Sequence, residues 1–291
     1  MKNVLAVRAL GDGHWVGNGF PVHTIFSYHD QGRELSPFLL LDHAGPKDFP
    51  PTEARLGVDW HPHRGFETVT VVYSGEVEHA DSAGNSGRIG PGDVQWMTAG
   101  AGVLHKELHG HEFARRGGTF EVLQLWVNLP ARHKMKAPRY QTLLDQDIPV
   151  VTLPGGAGTL RVIAGQWHGA AGPAQTVTPI SLFDLHLRAG RSVRLPLAAG
   201  TTAVLYVLEG GIRLNDAGQA AATDLVLLDR DGADVELLAT SDARIFVMNG
   251  QPIDEPISGY GPFVMNTPAE IQQALADLRS GRLATLPAEM A

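Results

Sequence analysis

Short apolar segments, each closed off by Gly, Pro or a polar pair, recur along the chain. Thr68–Tyr73, Val94–Thr98, Val122–Leu129, Ser181–Leu187, Ala203–Leu208, Asp224–Leu228, Val235–Ala239 and Arg244–Met248 are rich in Val, Ile, Leu, Thr and aromatic residues. Strands of four to eight residues between turn signals predict a sandwich or barrel rather than βαβ units. In Leu123-Gln124-Leu125-Trp126-Val127-Asn128-Leu129 the aliphatics fall on alternate residues and so share one sheet face. Pro91-Gly92 suits a type II turn, with Pro fixing φ at the second position and Gly taking positive φ at the third. One helix is predicted over 268–280. Thr267 caps it, Pro268 opens it and Glu270 completes a capping box; Ile271, Ala274, Leu275 and Leu278 form its apolar stripe, and Gly281 ends it.

An internal repeat underlies the strand pattern. Thr70-Val71-Val72-Tyr73-Ser74-Gly75-Glu76-Val77-Glu78 reads like Val204 to Arg213, strand, Gly turn, strand; aligning Gly75 with Gly210 gives an offset of 135 residues. A duplicated β-barrel is the simplest reading, with a Pro/Gly-rich connector around Pro149–Pro173.

At 291 residues the chain exceeds a typical single domain. Hydrophobic residues at 43% and charged residues at 19% supply ordinary cores and exclude a disordered tail. With 23 Lys and Arg against 31 Asp and Glu, the net charge of −8 gives no basic field for direct nucleic acid binding or an anionic membrane. The absence of Cys excludes disulfides, thiolate metal sites, iron–sulfur clusters and a Cys nucleophile. The N-terminal residues lack a secretory pattern and no apolar run is long enough to span a bilayer, so a cytoplasmic protein is expected.

Histidine changes the picture. Eleven of the 13 lie at or before position 133. In Trp60-His61-Pro62-His63, residues i and i+2 project from one face of a strand, and Pro62 places the pair at a strand start, an edge or a bulge. In Gly100-Ala101-Gly102-Val103-Leu104-His105-Lys106-Glu107, His105 and Glu107 again share a face. Three imidazoles and one carboxylate suit Fe(II), Mn(II), Co(II), Ni(II), Cu(II) or Zn(II). Glu67, His109 and His111 have compatible parity and compete for the role.

The strings HPHRGFETV, PGDVQWMTAGAGVLHKE, LQLWVNLP and GPFVMNT resemble the pirin family of the cupin superfamily, in particular its quercetin 2,3-dioxygenase type. The resemblance runs from Phe38-Leu39-Leu40-Leu41-Asp42-His43 through the terminal helix. It implies an all-β bicupin: two antiparallel β-barrels of jelly-roll (cupin) type packed face to face, with a C-terminal amphipathic helix. Residues 1–135 would form the N-terminal metal-binding barrel, and 136–291 a C-terminal barrel without metal that carries the helix 268–280. The family's metal ligands carry over to His61, His63, His105 and Glu107, and Glu67 is demoted. The 135-residue offset takes His61 and His63 to Pro196 and Ala198, which offer no side-chain ligand.

The resemblance further implies a quercetinase: one divalent metal, Fe(II) preferred over Mn, Co, Ni, Cu or Zn, opening a flavonol-like aromatic substrate with O2. Glu107 is expected as a general base as well as a ligand. The family also suggests a second reading, an iron-dependent redox-sensing regulator acting through a protein partner. A third is a metal-dependent isomerase or hydrolase that needs no dioxygen.

Overall fold

The structure, a computed structural model, describes residues 1–215 and 218–285. It is almost entirely antiparallel β, and the chain divides into two compact units. The units follow the sheets rather than the consecutive stretches 1–135 and 136–291. One comprises Asp12–Arg33, Phe38–Asp145 and the chain from Ile253 onward; the other comprises Met1–Gly11, Glu34–Pro37 and Gln146–Pro252. Strand pairing is the reason. Val4–Arg8 adds to the edge of a sheet through Leu225–Leu228, and the terminal helix packs Ile271 and Ala274 against Phe263, Met265 and Leu283.

In the histidine-bearing unit a seven-stranded sheet runs, in spatial order, Arg139–Leu143, Val94–Thr98, Phe66–Ser74, Gly118–Asn128, Phe38–Phe49, Phe20–Ser27 and Gly13–Val16. A four-stranded sheet runs Gly57–His63, Val103–His109, Val77–Asp81 and Ser86–Ile89. The second unit repeats this arrangement strand for strand. Its seven strands are Val4–Arg8, Leu225–Leu228, Thr202–Glu209, Ala243–Gly250, Ile180–Leu187, Gly158–Ala164 and Val150–Thr152; its four are Ser192–Leu195, Val235–Ala239, Gly211–Leu214 and Gly218–Ala221.

The local signals behave as their chemistry dictates. Pro91-Gly92 forms the expected turn, closed by Asp93 N–H donating to Gly90 O at 3.0 Å with Gly92 at φ +88°. The helix spans Pro268–Arg279, and the Thr267–Glu270 capping box is formed in both directions. Two further helices, Tyr28–Leu35 and His111–Arg116, carry no comparable sequence signal. Among the described residues no helix is long and apolar enough to cross a membrane.

Candidate metal centre

The Gly57–His63 strand lies at the edge of the four-stranded sheet, where a proline costs no ladder hydrogen bond. It pairs with Val103–His109 so that His61 faces His105 and His63 faces Val103. A bulge follows: Glu107 pairs with Val58, so Asp59 and Trp60 are looped past the facing strand. His61, His63 and His105 therefore converge, each offering a ring nitrogen within 4.8 Å of the others. Their ring centroids are 4.2 to 4.8 Å apart. His63 and His105 are 3% and 0% exposed, whereas His61 is half-buried and forms the open side.

Burial, then the neighbouring His61, holds His63 well below the usual imidazole range, against the Pro262 carbonyl. Burial, then His61, His63 and His79, does the same to His105. Both rings are thus neutral at pH 7, the form that binds metal. His63 Nδ1 and His105 Nε2 are buried without a hydrogen-bond partner. The Asp59 carbonyl accepts from His61 Nδ1 at 2.8 Å, which leaves Nε2 as its lone-pair nitrogen. Two buried neutral imidazoles with unused nitrogens, brought together with a third ring at His61, are a fit for a divalent first-row metal.

Glu107 is not in that converging group of three. Its carboxylate accepts from Thr70 Oγ1 at 3.1 Å and from Gln124 Nε2 at 3.2 and 3.0 Å, one contact to each oxygen. Those donors belong to a polar row across the large sheet. Gln95, Thr70, Gln124, Asp42 and Thr24 are register partners on five successive strands. Thr24 Oγ1 donates to Asp42 at 2.7 Å, and Gln95 Nε2 meets His79 Nδ1 at 3.0 Å. Asp42, Gln124 and Glu107 share a cavity of about 30 Å³ with Val16, Phe20, Val22, Ala44, Val58 and Val122. That is room for roughly one water.

The competing residues lie elsewhere. The chain turns at Gly65, φ +93°, so Glu67 begins on a different strand from His63 and on the face opposite Thr68 and Thr70; Thr98 Oγ1 donates to it at 2.6 Å. His109 sits among Phe20, Phe49, Phe113 and Phe120, where Nε2 donates to the Gly19 carbonyl. His111 opens a short helix. A larger groove of about 750 Å³ is lined by Lys106 and Leu108, which alternate with His105 and Glu107 and so face away from the histidines.

The loop after His63 is firmly held. Arg64 Nε donates to Ala101 O at 2.6 Å, its guanidinium pairs with Asp277 of the terminal helix at 2.8 Å, and its backbone bridges to Phe263. Sequence reasoning missed His79, Thr70, Gln95, Asp42 and Gln124. The signal was present at Gln124, a polar residue alternating with Trp126 on the strand face that the aliphatics leave over.

Comparison with known proteins decides the lineage. The profile of the family described as Pirin matches residues 19–127, and that of the Pirin C-terminal cupin domain matches 182–284. The chain belongs to the pirin family. A Pseudomonas aeruginosa protein named "Putative quercetin 2,3-dioxygenase" is 55% identical over 282 residues, covering 97% of this chain and 98% of its own. A tomato pirin-like protein is 40% identical, covering 86% of this chain and 82% of its own. The crystal structure of a quercetin 2,3-dioxygenase from Acinetobacter baumannii superposes with a TM-score of 0.96 at 48% identity, covering 99% of this chain and all of that one. As in other pirins, the fold is a bicupin with a C-terminal helix, and the candidate metal centre lies in the unit that contains the Pirin match.

Proposed function

We propose that this pirin-family chain is a metal-dependent dioxygenase of the quercetin 2,3-dioxygenase type, taking a flavonol-like aromatic substrate and O2. In this reading His61, His63, His105 and Glu107 hold one ion. The observation that carries it is the converging imidazole triad, in which His63 and His105 are buried, neutral and carry unpartnered nitrogens, in a chain 55% identical to a relative named for that activity. The donor set also suits Mn, Co, Ni, Cu or Zn; Fe(II) is preferred because it supports dioxygen activation and Zn does not. Bound there, the ion supplies polarisation of the substrate's adjacent hydroxyl and carbonyl oxygens and an electron path to dioxygen.

The protein's own groups do the rest. Thr70 and Gln124 donate to the Glu107 carboxylate and fix its orientation. From there Glu107 takes the proton of the flavonol hydroxyl as general base. The interior cavity is too small for an aromatic substrate, so the flavonol enters on the half-buried His61 side, beside the Trp126 ring that lies 5.4 Å from His63. Protein loaded with Fe(II) under nitrogen and then given a flavonol and air should take up dioxygen in step with flavonol loss and release carbon monoxide. Stoichiometrically iron-loaded protein that leaves both flavonol and dioxygen untouched would overturn the assignment.

A further inference from the structure

We propose that His79, which is not among the ligands, is a positioning residue that fixes the ring tautomer of His105 through a buried Asp81–His79–His105 chain. The proposal rests on the metal reading above. Strand register brings the three together: Glu107 pairs with His79, and His105 pairs with Asp81. All three side chains are buried, at 3%, 1% and 0% exposure for His79, Asp81 and His105.

Direction along the chain follows from what each group is able to donate. Asp81 Oδ1 accepts from Ala83 N–H, Asn85 N–H and the Asn85 amide, and Oδ2 accepts from the Asn85 amide at 2.9 Å while lying 3.5 Å from His79 Nε2, a charge contact without a formed hydrogen bond. A carboxylate only accepts, so the proton of His79 belongs on Nε2 and its lone pair on Nδ1. Gln95 gives the same answer independently. Tyr140 O–H donates to Gln95 Oε1 at 3.5 Å, which turns the amide N–H toward His79 Nδ1 at 3.0 Å. His105 Nδ1 lies 3.4 Å from that same His79 nitrogen. Facing a lone pair already shared with Gln95, His105 Nδ1 must carry the hydrogen. The lone pair of His105 then sits on Nε2, the buried atom with no partner that the metal reading requires. Tyr140 stacks on His79 at 4.6 Å and 18°, which holds the imidazole plane.

Partners of this kind typically set metal affinity by 10–100-fold. His79→Phe keeps the stack on Tyr140 but removes the acceptor, whereas His79→Asn offers an acceptor oxygen near the Nδ1 position. Imidazole ¹⁵N NMR of metal-free protein reads the His105 tautomer, and Co(II) titration reads affinity. His105 should be the Nδ1–H tautomer in the parent and in His79→Asn, and lose that preference in His79→Phe. Co(II) affinity should fall about 10–100-fold in His79→Phe and stay within a few-fold of the parent in His79→Asn. A folded His79→Phe protein with an unchanged His105 tautomer and unchanged affinity overturns the proposal. A parent that binds no Co(II) but shows the tautomer shift retains the relay and removes the metal reading.

Discussion

The two units share one strand order and differ in what they enclose. In the second unit a single apolar cluster runs from Leu153 to Val247 and joins both sheets. Strand register sets His61 and His63 against Val193 and Leu195, and His105 and Glu107 against Leu237 and Ala239. His79 and Asp81 correspond to Ile212 and Leu214. The polar row Gln95, Thr70, Gln124, Asp42 and Thr24 is answered by Val226, Leu205, Val247, Phe183 and Val162. All of these counterparts belong to the apolar cluster. A barrel of this order is therefore stable when filled with hydrocarbon, and the buried polar groups of the first unit are not what the fold needs to form. They cost desolvation and are retained for chemistry.

The strongest way to break the comparison is to give the first unit the second unit's residues. His61→Val, His63→Leu, His105→Leu and Glu107→Ala together should leave a folded β protein with no stoichiometric metal and no dioxygen uptake. Replacing well-packed buried polar groups by apolar ones is often close to neutral in stability. Circular dichroism and metal analysis after loading check this, and retained metal would place the site elsewhere.

Much of this contrast was legible along the chain, for reasons tied to local chemistry. The terminal helix was readable because Thr267, Pro268 and Glu270 act on their own backbone. The triad was readable because i, i+2 parity survives within each strand. The repeat offset of 135 holds where Thr70 meets Leu205, but it shortens at the ligand strands, so His61 registers with Val193 rather than Pro196. His79, Asp81 and Gln95 were not legible, since their roles come from cross-strand register and not from spacing. Nor was the exchange of chain ends between units, because a five-residue strand such as Val4–Arg8 carries no mark of its partner.

Each unit also holds one buried lysine ahead of an equivalent edge strand, and their geometries differ. Lys134 precedes Arg139–Leu143 and donates to Gly65 O, Asn128 Oδ1 and Val264 O at 2.8, 2.7 and 2.8 Å. Lys2 precedes Val4–Arg8 and donates to the Thr201, Asp229 and Arg230 carbonyls at 3.2, 3.1 and 3.0 Å. Lys134→Met strands three buried acceptors and should cost roughly 3–5 kcal/mol in urea unfolding. It should also weaken metal binding, because Gly65 is two residues beyond His63. Lys2→Met, with longer bonds and no tie to the site, should cost less and leave metal affinity alone; equal losses in both properties would erase the distinction.

The smallest expected effect concerns Asp42, whose counterpart is Phe183. Burial raises the Asp42 carboxyl to about 6, against the opposing influences of the Thr24 hydroxyl and His14. The folded pKa thus lies above the unfolded value near 3.8, so the native state binds the proton more tightly. Stability from this group is full below about pH 4, falls between about pH 4 and 6 and stays reduced above that. Asp42→Asn mimics the protonated form and keeps an acceptor for Thr24. In metal-free protein it should match the parent near pH 4 and exceed it by about 3 kcal/mol at pH 7–8. Urea midpoints across that range measure the difference. A gap independent of pH would mean that Asp42 ionises normally, and that the polar row is less costly to the first unit than its apolar counterpart implies.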